Sequence, residues 1–97
     1  MIAEPKIIFA DTENQFERYM EEWYSNKEIA TSLLVESQKY FEQNDELSGC
    51  SYQQKAGETG IKATEALLKA IKIKGPNNGL DNIEAGIEKW KEVRDAC

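Results

Sequence analysis

Four glutamates, Glu13, Glu17, Glu21 and Glu28, recur at steps of four, four and seven, which places them on one face of any helix that carries them. Carboxylates in such a row can do acid–base work, hold a metal, or present a negative edge to a basic partner. Acid–base catalysis usually rests on a histidine or on a buried carboxylate with a shifted pKa, and the chain has no histidine. A di-metal carboxylate bundle needs Glu-x-x-His pairs, which the same absence excludes. A structural zinc site needs about four Cys or His ligands; here there are two cysteines and no C-x-x-C. The serines lack a base to activate them. Gly57-x-x-Gly60 is too small a match for a phosphate loop. The reading is therefore of a chain with no catalytic residue, no cofactor and no metal, hence not an enzyme. The glutamate row remains as either a docking stripe or, more plainly, a solvated helix face. Lys62, Lys69 and Lys72, with Glu65 among them, read as the polar face of another helix.

Tyr19, Trp23, Tyr24 and Tyr40 fall within one predicted helix. Tyr and Trp anchor many interfaces, although core packing with an amphipathic rim is the plainer account. The candidate partner-binding set is thus Glu13, Glu17, Glu21, Glu28, Tyr19, Trp23 and Tyr24. Cys50 and Cys97 leave two alternatives. The preferred one is a pair of free thiols in a cytosolic protein. The other is a disulfide, because a last helix running back along the second would end near Cys50; closing a loop of about 47 residues is worth ~4 kcal/mol in the chain-entropy picture.

Ninety-seven residues, 40% hydrophobic and 31% charged, make one domain with a modest core. The net charge is −6 and unevenly spread: residues 1–49 carry four basic and eleven acidic side chains, residues 50–97 eight basic and seven acidic. An acidic first half repels phosphates and argues against direct nucleic-acid binding; it suits a basic protein partner or plain solubility. No apolar run approaches the ~20 residues of a membrane span. Ile7-Ile8-Phe9 is too short for a signal-peptide core. The expected location is cytoplasmic, or exported without a classical signal peptide.

The elements that would position these residues are helices. Residues 1–11 read as an extended lead-in, with Pro5 disfavouring helix before it. Thr12 and Gln15 match a capping box, after which Phe16, Met20, Trp23, Ala30, Leu34 and Phe41 form one stripe to about residue 45. Ser25 and Glu28 match a second capping box, so a break near residue 25 is the alternative. Asn44 to Gly49 reads as a turn, with Gly49 suited to positive φ, and Ser51 with Gln54 as the next cap. Gly57 and Gly60 imply either irregular first turns or a neighbouring backbone packed close. Beyond Ile61 the apolar arc is wide, as in a helix touched from two sides. Gly75-Pro76 stops it, Asn77-Asn78-Gly79 is a loop, and Asp81 with Glu84 caps a last helix striped by Leu80, Ile83, Ile87, Trp90 and Val93. The fold expected is all-α: an antiparallel up-down-up bundle of three helices, four if the first one breaks.

Leu47-Ser48-Gly49, followed by Cys50-Ser51-Tyr52-Gln53-Gln54-Lys55, stands between the first two helices. This resembles the W-x-G or L-x-G hairpin turn of the WXG100 and LXG-type helical proteins of type VII secretion, over roughly residues 33–73. The family's terminal Tyr-x-x-x-Asp/Glu has no exact counterpart, since Trp90 and Asp95 are one step too far apart. The resemblance implies a non-enzymatic protein that pairs helix to helix with a secretion substrate or with its own copy as a homodimer. The competing reading is an acidic inhibitor of a basic protein, such as an immunity protein or a phage-encoded antagonist of a nuclease or defence complex.

Overall fold

In the computed structural model, which describes residues 4–75 and 79–97 (side chains from residue 13), the chain forms three helices. Helix α1 runs Glu4–Glu42, α2 Glu46–Ile73 and α3 Leu80–Asp95, and no strand occurs among the described residues. The extended lead-in is corrected: residues 4–11 are already helical, while residues 1–3 lie outside the described range. Pro5 sits in the first turn, where its missing N–H has no intrahelical acceptor to lose and its fixed φ suits the helix. The break near residue 25 is also absent, and α1 is continuous. Thr12–Gln15, Ser25–Glu28 and Ser51–Gln54 all fall inside helices. A capping box needs backbone donors left free by a helix start, and mid-helix donors are taken by carbonyls four residues back.

The true hairpin turn is shorter than the sequence implied and shifted toward α1. Asn44, not Gly49, takes positive φ (63°), a conformation Asn tolerates better than most non-glycine residues. Asp45 caps α2 by accepting a 3.1 Å hydrogen bond from the Ser48 N–H. Gly49 is helical and buried, with a Cβ there destined to meet the Phe41 ring at 2.8 Å. At the far end of α2, Gly75 does take positive φ (107°); the residues 76–78 of the expected stop and loop lie outside the described range. The Asp81 cap is corrected too: Gly79 is the N-cap of α3, and Asp81 lies within the first turn of the helix.

α2 is the centre. It packs against both α1 and α3, whereas no Cα of α1 comes within 8 Å of one in α3 among the described residues. Pairs across α1 and α2 fix an antiparallel register: Tyr40 with Tyr52, Tyr19 with Lys69, and Phe16 with Lys74. α1 has 39 residues and α2 has 28, so the start of α1 runs past the end of α2 by about 16 Å at 1.5 Å per residue. The molecule is accordingly long and thin, 65 × 24 × 13 Å.

The buried layer is built of small residues: Ala30 and Ser37 from α1, and Gly49, Ala56, Gly57, Gly60, Ala63, Ala66 and Ala70 from α2. Ile87 is the largest apolar side chain counted as buried. Small side chains let helix backbones approach closely, and α3 exploits this. A Cβ on Gly57 would meet the Arg94 backbone at 2.5 Å, and one on Gly60 would collide with the Trp90 indole. Of the two readings of these glycines, close packing of a neighbour is the one realised, since α2 is unbroken helix through both. Thr64 completes the strip and ties its hydroxyl back to the Gly60 carbonyl at 2.8 Å.

Cys50 and Cys97 are joined by a disulfide with Cα atoms 5.7 Å apart. The preferred free-thiol reading is therefore corrected. Cys50 lies in the second turn of α2 rather than at its start, and α3 returns along α2 far enough to bring Cys97 beside it.

Glycine substitutions separate these contacts. Gly57→Ala is expected to destabilise the fold by about 1–3 kcal/mol through overpacking against α3. Gly86→Ala meets only the Thr64 methyl at an ordinary 3.6 Å and is expected to stabilise by up to ~1 kcal/mol through helix propensity. Chemical denaturation of the two oxidised variants measures both.

Candidate functional site

The glutamates Glu13, Glu17, Glu21 and Glu28 are all exposed, on the side of α1 turned away from α2. None of the four takes part in an ion pair among the described residues. Among the described residues the ion pairs are Lys39–Glu36, Lys91–Glu88 and Arg94–Asp95, all at exposed positions or half-exposed ones, where such pairs are worth little. Arg94 donates to Asp95 through Nε and through a second guanidinium nitrogen at 2.8 and 3.0 Å. That bonding holds the Asp95 carboxyl below its ordinary range.

The aromatic candidates divide. Tyr19 and Trp23 are half-buried and turn toward α2; the Lys69 ammonium lies 5.7 Å from the Tyr19 ring. Tyr24 turns outward and is 55% exposed, its ring 4.6 Å from that of Trp23 at a tilt of 48°. Lys27, which interrupts the apolar stripe in the sequence, lays its ammonium 4.9 Å from the Trp23 ring centre. Its stem covers the stripe while its charge stays in water. Trp23 and Tyr19 thus belong to the packing of the hairpin. Tyr24 is the one of the three that stays exposed.

One edge of α1 gathers what remains. Tyr24, Thr31, Val35 and Gln38 follow at steps of seven, four and three and so share that edge, with Glu17 and Glu28 on the same arc. Val35 is 48% exposed. Below this edge, α1 and α3 stand apart on either side of α2 and enclose an open cleft of about 470 Å³. Its lining is Thr31, Leu34, Val35, Ser37, Gln38 and Phe41 from α1, Gln53 from α2 and Val93 from α3. Gln53 fixes its amide by donating to the Val93 carbonyl at 3.1 Å. The lining is apolar with amide and hydroxyl rims and carries no charge. Sequence reasoning missed this cleft. Its one local signal was Val35, an apolar residue outside the helix stripe. Ile29, 51% exposed beside Ser25, Glu28 and Ser32, is a second such residue on another side of α1.

No cluster of three or more His, Cys, Asp or Glu residues among those described has a geometry for a metal ion. Among the described residues no helix is long and apolar enough to cross a membrane.

The chain matches no protein-family model, no curated protein and no solved structure. The segment 47–55 that carries the L-x-G resemblance lies in the first turns of α2, with Leu47 88% exposed and Gly49 beneath Phe41.

Near the hairpin end, Tyr40 and Tyr52 stack with centroids 5.3 Å apart and planes 12° from parallel. A phenolate on Tyr52 opposes a second one beside it, and this neighbour, followed by burial, pushes the Tyr40 phenol above its ordinary value. A phenol raised by folding favours the fold below the ordinary tyrosine range, and that contribution is lost as pH climbs through the raised value. Tyr52→Phe is expected to bring the Tyr40 titration back down, as read by ultraviolet absorbance against pH.

Proposed function

We propose that this chain is a non-enzymatic helical protein-interaction module, whose docking surface is the α1 edge from Glu13 to Gln38 together with the adjoining α1–α3 cleft. The observation that carries the reading is the surface left uncovered. The chain exposes 6984 Å², whereas a compact 11.1 kDa monomer exposes about 5,700 Å², a surplus of about 1,300 Å². A standard interface covers roughly 800 Å² per partner. Tyr24, 55% exposed, and Val35, 48% exposed, lie on the edge that borders the apolar cleft, and a partner helix laid along that edge would meet them at i, i+3, i+4 and i+7 spacing.

Within this reading, the first version is a type VII secretion-associated partner of the kind the L-x-G segment resembles. Its support is the helical hairpin with the L-x-G at the start of α2. The disulfide favours export over residence in a reducing cytoplasm. The second version is an acidic inhibitor of a basic protein, favoured by one observation: Glu13, Glu17, Glu21 and Glu28 take no part in an ion pair among the described residues. Unpaired surface charge of one sign speeds and orients encounter with the opposite sign.

Affinity capture from the native host with tagged wild type, Tyr24→Ser/Val35→Ser and Glu17→Lys/Glu21→Lys separates the versions. A helical partner held through high salt and lost with the first variant supports the secretion version. A basic partner lost in high salt, and lost or slowed at least tenfold with the second variant, supports the inhibitor. Retention by both variants under both washes would remove this edge of α1 from consideration.

A further inference from the structure

The third helix is held differently from the other two. α1 and α2 form a hairpin with its own contacts along its length: Ala30 and Ser37 are buried, Phe41 covers Gly49, and Tyr40 stacks on Tyr52. α3 packs its backbone close to α2, and no Cα of α3 comes within 8 Å of one in α1 among the described residues. Its grip consists of Ile87, the Trp90 ring over Gly60, the Arg94 backbone over Gly57 and the Gln53–Val93 bond. It has 16 residues, and a helix that short draws most of its stability from packing against its neighbours. Two covalent ties keep it in place, the connection after Gly75 at one end and the Cys50–Cys97 bond at the other. Cys97 is an exposed residue and Cys50 a half-buried one, so the bond lies at the edge of the fold.

We propose that Cys50–Cys97 is a redox latch on α3: its reduction releases α3 from α2 and leaves the α1–α2 hairpin folded. A dithiol reductant is the co-reactant. One of its thiolates attacks Cys97 Sγ, the Cys50–Cys97 bond breaks, and Cys50 leaves as a thiolate that takes up a proton. The second thiolate of the reductant then attacks the sulfur it shares with Cys97 and frees Cys97 as the second thiol. The protein gains two electrons and two protons, and the dithiol ends as its own disulfide. Release bares the Gly57, Gly60 and Thr64 strip of α2. It also removes Val93 from the cleft, so the latch governs the docking surface too; that consequence alone rests on the preceding functional reading.

Hydrogen exchange followed by mass spectrometry tests the latch on the full chain without any partner. Oxidised protein is compared with protein reduced by dithiothreitol and with the Cys50→Ser/Cys97→Ser double variant. The expected result is a loss of protection of at least about tenfold in α3, shared by the reduced chain and the variant, with protection retained around Ala30 and from Ala56 to Ala70. Unchanged protection in α3 overturns the proposal, because its noncovalent contacts would then suffice. Simultaneous loss in all three helices overturns it as well, since the bond would be a staple of the whole fold.

Discussion

α2 must accommodate a helix on each of two sides, and the space between helix axes sets what its side chains can be. Large residues at the contact would hold the neighbours off. The buried positions of α2 are instead glycine, alanine and one threonine, so α1 and α3 both approach its backbone. The Trp90 indole sits where a Gly60 side chain would be, and the α3 backbone sits where a Gly57 side chain would be. Those glycines weaken the helix locally, and the packing they permit outweighs that loss. The cost is a thin core. With no bulky side chain fully enclosed among the described residues, Phe16, Trp23, Leu34 and Ile71 stay partly wet.

The openness of the assembly follows from the same constraint. α1 and α3 meet different sides of α2 and do not close on one another. A fully closed triangle would bury the space between them. Here it is the cleft beneath Leu34, Val35 and Val93. The disulfide compensates for what the small core lacks, tying the end of α3 back to the second turn of α2. In small domains a covalent tie of this kind commonly stands in for hydrophobic burial.

The helices themselves were legible in the sequence, because the stripes Phe16–Phe41, Ile61–Ile73 and Leu80–Val93 each keep helical phase; whether they number three or four, with a break near residue 25, was left to the structure. The wide apolar arc of α2 marked it as the central element for a physical reason: a helix touched on two sides needs two faces. The capping signals misled. Ser, Thr and Asp three residues before Glu or Gln occur often in an acidic helical chain, and the pattern acts only where a turn leaves donors free. Asp45, outside all of those patterns, supplies the cap of α2 because Asn44 had already turned the chain.

For the candidate site, sequence alone determined the glutamate row and its exposure, since both follow from spacing and charge on a helix. It also fixed that Cys50 and Cys97 would lie near one end of the molecule, from the lengths of α2 and α3. Only the tertiary structure decided that Tyr19 and Trp23 turn inward while Tyr24 turns out, that the two sulfurs bond, and that Val35 and Val93 face one cleft. Each of those depends on the rotation of one helix about another. Residues such as Tyr24 and Val35 lie at the border of a stripe, where a small change in rotation moves a side chain between core and solvent. That rotation is set by close contacts between helices, such as Phe41 on Gly49, Arg94 on Gly57 and Trp90 on Gly60, and periodicity within one helix carries no record of them.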